Sequence, residues 1–395
     1  MTQGMFPNPA DWMRLLVDAQ QAQIDVTKSM VDAGAAMLDP TKADEAAITA
    51  LAAALGKDPS ANRVETGTAE SHEKAATDLF LERNRAVLPA QALSGRRIGV
   101  YQHSTVARDM LVKVFEHYGA TVFPLGRSEQ FIPVDTEAVS DETVRLMAHW
   151  TDELSLDAIV STDGDGDRPL VADEHGRPLR GDFLGLIASR FLGTQLVATP
   201  VTSNSGLEAA GGFDVVRTRV GSPFVIAAME EALAAGERSV LGFEANGGLM
   251  LGSDFTLGEK SITALPTRDS FLPALAVLGT AAERGLSLSQ LVEDFSLPVA
   301  LSDRLENYAS ERSTSLMAHL RASREQLSAF LAPLGEVATV SDIDGLRVTL
   351  ADGRVIHFRP SGNAPEMRCY VEAADKASAA SLLEDGLSLL GRWSV

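Results

Sequence analysis

One cysteine, Cys369, stands in 395 residues, so no disulfide can form within the chain. That is the pattern of a protein kept in a reducing, cytoplasmic compartment. Long apolar runs are missing too. No stretch approaches the roughly eighteen consecutive apolar residues of a membrane-spanning helix, so no span is expected. Basic residues are scarce, 34 against 54 acidic, giving a formal net charge of −20. Such a surface argues against nucleic acid and anionic membranes as partners, while leaving room for a phosphate in a local basic pocket. The opening residues, MTQGMFPNPADW, lack a basic patch followed by an apolar core and do not read as a secretory leader.

What is present is ordinary for a soluble globular protein: 45% hydrophobic and 22% charged residues. The length exceeds one ordinary core, so several domains are expected. Residues 1–92 read as a helical extension. Trp12, Leu15, Leu16, Ala19, Val26 and Met30 recur at helical spacing after Pro9, and Asp39-Pro40 ends the run. An alanine-rich stretch, Ala43–Leu55, and the segment HEKAATDLFLERNRAVL suggest two more helices. Such an extension packs on the body or on a second subunit, which makes a homo-oligomer through these helices an expectation.

From Leu93 the pattern becomes strand, loop, helix. RRIGVYQHS, LDAIVSTDGDGD, QLVATPVTSNSG and RSVLGFEANGG each run from an apolar segment into a polar loop. ARDMLVKVFEHYG and SPFVIAAMEEALAAG between them have helical periodicity and end at glycine. This alternation predicts parallel α/β units, whose ligands gather at the carboxyl ends of the strands.

Three of those loops carry chemistry. In STDGDGDR, Asp163, Asp165 and Asp167 alternate with glycine directly after a strand. Three converging carboxylates repel one another unless a hard cation neutralises them. An EF-hand is a poor reading, because Arg168 stands where that loop needs glycine and a strand leads in. Mg2+ with an open coordination position suits the few protein ligands better than a closed Ca2+ cage. In HFRPSGNAPEMR, Arg359, Ser361, Gly362, Asn363 and Arg368 surround a tight turn. Two guanidinium groups, a hydroxyl, an amide and free backbone N–H groups make an anion cradle. In GFEANGG, Glu244 and Asn246 sit on a glycine-rich bend, where they would hydrogen-bond vicinal hydroxyls of a sugar; Asn-Gly is equally an ordinary turn.

Together, DGDGDR, FEANGG and RPSGNAPEMR resemble the metal, sugar and phosphate loops of the α-D-phosphohexomutase superfamily, in the family's order, over about Leu93 to Ala373. The resemblance to its phosphomannomutase/phosphoglucomutase-like members implies mixed-sheet α/β domains and a C-terminal α+β domain. Expected divisions are 93–193 for the metal loop, 194–303 for the sugar loop and 304–395 for the phosphate loop. It also implies Mg2+ on the three aspartates, Arg168 beside a phosphoserine, and mannose or glucose phosphate as substrate. Glu244, Asn246, Arg219 and Ser222 would then face the sugar, and Arg359, Ser361, Gly362, Asn363 and Arg368 its phosphate. The implied reaction is intramolecular phosphoryl transfer, interconverting hexose 1- and 6-phosphates.

The sequence departs from the family in one chemical essential. No segment resembles the TASHNP loop that carries the phosphorylated serine. Ser71 sits in TAESHEKAATD and Ser104 in YQHSTVARD, neither with the expected surroundings. Asn246 stands where the family usually has serine, Gly248 where it has histidine or tyrosine, and Ser222 where some relatives carry histidine. The expectations are therefore a mutase using an unrecognised nucleophile or a partner, an inactive hexose-phosphate binder, or an interaction protein.

Overall fold

The computed structural model describes residues 71–362 and 364–394. The chain divides into two compact units, Met1–Phe80 and Leu81–Val395. Of the first, residues 71–80 are described; they open helix α1 (Glu73–Asn84), where exposed Lys74 and Asp78 pair one turn apart at 2.6 Å. The helices expected within residues 1–70 lie outside the described residues.

The second unit contains three larger sheets. In the first, β1 (Arg97–Tyr101), β2 (Thr121–Leu125) and β3 (Ala158–Thr162) run parallel, and β4 (Pro169–Ala172) returns antiparallel after the aspartate loop. Strand order is β2-β1-β3-β4. Helices α2 (Arg108–His117) and α3 (Asp141–Leu154) make the parallel connections. Every residue of β3 is buried, as in a strand covered on both faces. Ser140 caps α3 by accepting from the Thr143 N–H, and Ser155 closes it in left-handed backbone.

Strands β5 (Leu196–Pro200), β6 (Asp214–Thr218), β7 (Val240–Phe243), β8 (Leu249–Leu251) and β11 (Leu265–Asp269) form the second sheet, in the order β11-β8-β7-β5-β6. A small antiparallel pair, β9 (Phe255–Leu257) and β10 (Lys260–Ile262), stands apart from it. Helix α4 (Gly181–Leu192) precedes this sheet; α5 (Leu207–Gly211) and α6 (Ser222–Ala234) connect its parallel strands, and α7 (Phe271–Arg284) and α8 (Leu288–Glu293) follow it. Apolar on nearly every side, α4 is buried almost throughout. Its first residue must be glycine. A Cβ on Gly181 would lie 2.1 Å from the Gly247 nitrogen, inside the loop after β7.

The third sheet is antiparallel: β12 (Val299–Leu305), β16 (Met367–Ala373), β15 (Val355–Pro360), β14 (Leu346–Leu350) and β13 (Val337–Ser341), in that spatial order. β12 thus belongs by pairing to the C-terminal sheet, although it begins upstream of residue 304. Alternation splits β16 cleanly. Met367, Cys369 and Val371 enter a core with Val348, Ile356 and Phe358, together with Leu316, Leu327 and Leu382 from α9 (Ser310–Ala322), α10 (Arg324–Leu331) and α11 (Lys376–Arg392). Arg368, Tyr370 and Glu372 lie on the other face, away from these helices. Burial pushes the Cys369 thiol well above its usual range, so it stays protonated and inert.

Candidate active site

The aspartate loop is the hairpin between β3 and β4, closed by the Asp163 N–H donating to the Arg168 carbonyl at 3.0 Å. Gly166 adopts φ +84°, which favours glycine at the bend, and Ser270 Oγ pins its carbonyl at 2.6 Å. Asp163 is buried and largely committed to the loop. Its Oδ1 accepts from the Asp167 and Arg168 N–H groups, each at 3.1 Å, and its Oδ2 from Arg168 Nε. Asp165 is exposed and Asp167 half-buried. One ligand oxygen from each of the three lies within 4.8 Å of the others. Asp167 Oδ1 is buried and accepts no hydrogen bond, its nearest cation being Arg168 Nε at 3.5 Å, while Asp167 Oδ2 accepts from Arg268 Nη1 at 3.0 Å. A buried carboxylate oxygen that accepts no hydrogen bond, beside two more carboxylates, fits a hard divalent cation.

The glycine-rich bend is the β7–β8 hairpin. Glu244 is buried, and its carboxylate takes two contacts from Arg268, Nε at 2.7 Å and Nη2 at 2.6 Å. Arg268 therefore ties the metal-type loop to the sugar-type loop. The Asn246 side chain turns back to accept from the Gly248 N–H at 3.0 Å, as in an ordinary turn, while its carbonyl accepts from Thr136 Oγ1 at 3.0 Å. Thr136 belongs to the loop before α3, whose Phe131 lies over Gly164: a Cβ there would sit 3.0 Å from the ring. That loop touches both hairpins.

The anion cradle lies at the β15–β16 turn. Arg359 and Arg368 are paired residues on adjacent strands, and Arg304 on β12 is paired with Arg368. Paired residues share a face, so three guanidinium groups form one row. Asp344 answers one of them: its Oδ2 lies 3.0 Å from Arg359 Nε and accepts from the Val220 N–H at 2.9 Å. Glu366 stands 3.6 Å from Arg368 and 3.5 Å from Arg304. The Nε groups of Arg359 and Arg368 are nonetheless buried without an aligned acceptor. The turn is closed by the Ser361 N–H donating to the Glu366 carbonyl at 2.9 Å, and Gly362 is exposed at its tip. Asn363 lies outside the described residues. Burial raises the Glu137 carboxyl, against the pull of Arg180 and Arg368 nearby.

The remaining sugar-side candidates flank the start of α6. Arg219 is exposed, its guanidinium 5.0 Å from the Phe224 ring centre. Ser222 is the first residue of the helix, after Gly221 at φ +126°. The Asp344–Val220 contact brings this loop to the phosphate-type arginines. Sequence reasoning missed Arg268, Arg304 and Thr136. Arg304 alone carried a signal, in the alternation of its strand; the others depend on which loops meet. Ser104, one of the two serine decoys, has its Oγ occupied by the Ile132 N–H at 2.8 Å. No helix among the described residues is long and apolar enough to cross a membrane.

This fold defines a multidomain α/β protein with three polar loops at the carboxyl ends of its strands. Models of the phosphoglucomutase/phosphomannomutase alpha/beta/alpha domain II, alpha/beta/alpha domain III and C-terminal domain match residues 78–176, 180–297 and 316–387. A phosphomannomutase of Sinorhizobium fredii is 56% identical over 88% of this chain and 74% of its own length. A phosphomannomutase of Salmonella muenchen is 42% identical over 78% of this chain and 64% of its own. Among solved structures, a phosphoglucomutase/phosphomannomutase family protein of Burkholderia thailandensis shares the fold, with TM-score 0.62 and 19% identity over 80% of this chain and 64% of that one. The chain belongs to the phosphoglucomutase/phosphomannomutase family, within the α-D-phosphohexomutase superfamily. It spans just under two thirds of the Salmonella and Burkholderia proteins.

Proposed function

We propose that the chain binds a hexose phosphate, of mannose or glucose, together with one Mg2+, and that its reaction class is phosphoryl transfer between the 1- and 6-hydroxyls of that hexose. The observation that carries this reading is the placement of the aspartate cluster and Glu244 one side chain apart, both gripped by Arg268. The names of the phosphomannomutase relatives agree with it.

Asp163, Asp165 and Asp167 would hold the cation, with Asp167 offering an Oδ1 that accepts no hydrogen bond. A bound cation supplies charge neutralisation at the transferring phosphoryl group. Arg168 orients Asp163 and adds positive charge beside it. Arg359 and Arg368, with Ser361 and the backbone at Gly362, hold the phosphate that is not transferred; Asn363 is assigned to the same task by family resemblance. Glu244 and Asn246 read sugar hydroxyls, and Arg219 and Ser222 border the ligand at the start of α6.

A second reading, a hexose-phosphate binder without turnover, is favoured by the occupied hydroxyl of Ser104. Transfer through a phosphoenzyme needs a free nucleophile. Incubation with hexose 1,6-bisphosphate and Mg2+, followed by intact-mass and peptide analysis, separates the two. A phosphoserine supports the mutase; bisphosphate binding without incorporation supports the binder.

A further inference from the structure

Arg268 reaches its two partners through space that Gly248 leaves open. A Cβ at Gly248 would lie 2.8 Å from Arg268 Cδ and 3.0 Å from its Cγ, so the bare glycine gives this side chain its path. At the end of that path the guanidinium is divided. Nε and Nη2 face Glu244 at 2.7 and 2.6 Å, and Nη1 faces Asp167 Oδ2 at 3.0 Å. Glu244 is not among the three clustered carboxylates, so Arg268 is a link from outside the cluster into it.

With Oδ2 held by Arg268, Asp167 keeps Oδ1 fixed in direction and free of hydrogen bonds, with Arg168 Nε 3.5 Å away. Hydrogen bonds of this outer kind set how a carboxylate is presented to a metal. One guanidinium shared by two carboxylates is also a balance: an N–H withdrawn from one carboxylate becomes free to donate to the other.

We propose that Arg268 is a positioning residue that relays occupancy of Glu244 to the metal loop. A hydroxyl that donates to Glu244 displaces the Arg268 N–H groups, which then turn toward Asp167 and any phosphoryl oxygen beside it. A sugar lacking that hydroxyl leaves the guanidinium on Glu244. Discrimination among sugars then operates through the charge delivered to the phosphoryl end as well as through fit. The inference rests on the divalent-cation reading of Asp163, Asp165 and Asp167.

The test is a double-mutant cycle on the full chain, read as Mn2+ affinity by electron paramagnetic resonance, with thermal unfolding as the folding control. Glu244→Gln presents the whole guanidinium charge to Asp167 and should weaken Mn2+ binding about fivefold or more, within the coupling range of residues sharing one network. On an Arg268→Ala background the same substitution should change it by less than about twofold. Gly248→Ala, which pushes Arg268 off its path, is an independent second background expected to blunt the effect in the same way. Equal effects of Glu244→Gln in every background, or none in the native chain, overturn the relay while leaving the metal site standing. A native chain that binds no Mn2+ overturns both. A merely structural Arg268 would lower the melting temperature and leave the Mn2+ effects additive.

Discussion

Arg359 and Arg368 stand directly opposite each other on β15 and β16, with Arg304 next in the same row. Like charges in register oppose sheet pairing, and each guanidinium here has a carboxylate close by: Asp344 for Arg359, Glu366 for Arg368, and Glu306 and Glu366 for Arg304. The Nε groups of Arg359 and Arg368 still lack an aligned acceptor, which an anion at the turn would supply.

Arg368→Ala should therefore weaken binding of mannose 1-phosphate or glucose 1-phosphate at least tenfold, since a charge-assisted hydrogen bond is worth about 1.5–3 kcal/mol. Without ligand, the variant should melt no lower than the native chain, because a like-charge neighbour has gone. Titration calorimetry and a melting curve read the two effects separately. Unchanged affinity would place the phosphate elsewhere.

The three aspartates should part company on substitution. Asp165 is exposed and makes few commitments, so Asp165→Ala should lose Mg2+ binding at unchanged melting temperature. Asp163→Ala should lose the metal and also destabilise the fold, by about 1–3 kcal/mol for each buried group left unpaired. Its carboxylate accepts from two N–H groups and pairs with Arg168. Denaturant unfolding with and without Mg2+ distinguishes them. Metal binding that survives Asp165→Ala would remove that residue from the site.

Much of this site was legible in the sequence because its parts are local. The aspartates occupy alternate positions of one hairpin, and the phosphate-type residues flank one turn, so spacing alone announced them. The strand–loop–helix alternation likewise anticipated β1, β3, β5 and β7 running into polar loops. What escaped was everything that depends on two loops meeting. Arg268 lies 24 residues from Glu244 and 101 from Asp167, and no periodicity marks it. The division between units was blurred for a similar reason, since β12 is assigned by its partner β16 and not by its own composition. We propose divisions near residues 178 and 298, in line with the sheet pairing.

Acid should act on the C-terminal sheet through His357. Burial pushes this imidazole from an ordinary 6.5 down to about 4, with its Nε2 against the Asp344 carbonyl at 2.6 Å and its ring stacked on Tyr370. Between those values the unfolded chain holds a proton that the folded chain rejects. Unfolding then takes up a proton, and stability falls as the pH drops through that window. The contribution is on the order of 3 kcal/mol by the time the pH reaches the folded value. His357→Gln should flatten the loss of melting temperature between pH 6.5 and 4 relative to the native chain. Parallel pH profiles would show that the imidazole is not responsible.

The last prediction concerns the nucleophile: the purified chain should show little or no hexose-phosphate mutase turnover. The proposed metal, sugar and phosphate contacts would still position a substrate, and positioning and charge stabilisation are large terms in catalysis. Yet the family chemistry passes the phosphoryl group through a serine, and neither candidate here carries the family's loop around it. Ser104 Oγ accepts from the Ile132 N–H and serves its own loop. Ser71 stands exposed just ahead of α1, with no TASHNP-like sequence around it. A coupled assay with hexose 1,6-bisphosphate as activator, run beside Asp165→Ala, decides the matter. Turnover that vanishes in Asp165→Ala would sink the prediction, and mapping the phosphorylated residue would then locate the nucleophile. Absence of turnover combined with tight bisphosphate binding would leave a complete cradle for the sugar phosphate and no group to exchange its phosphoryl with.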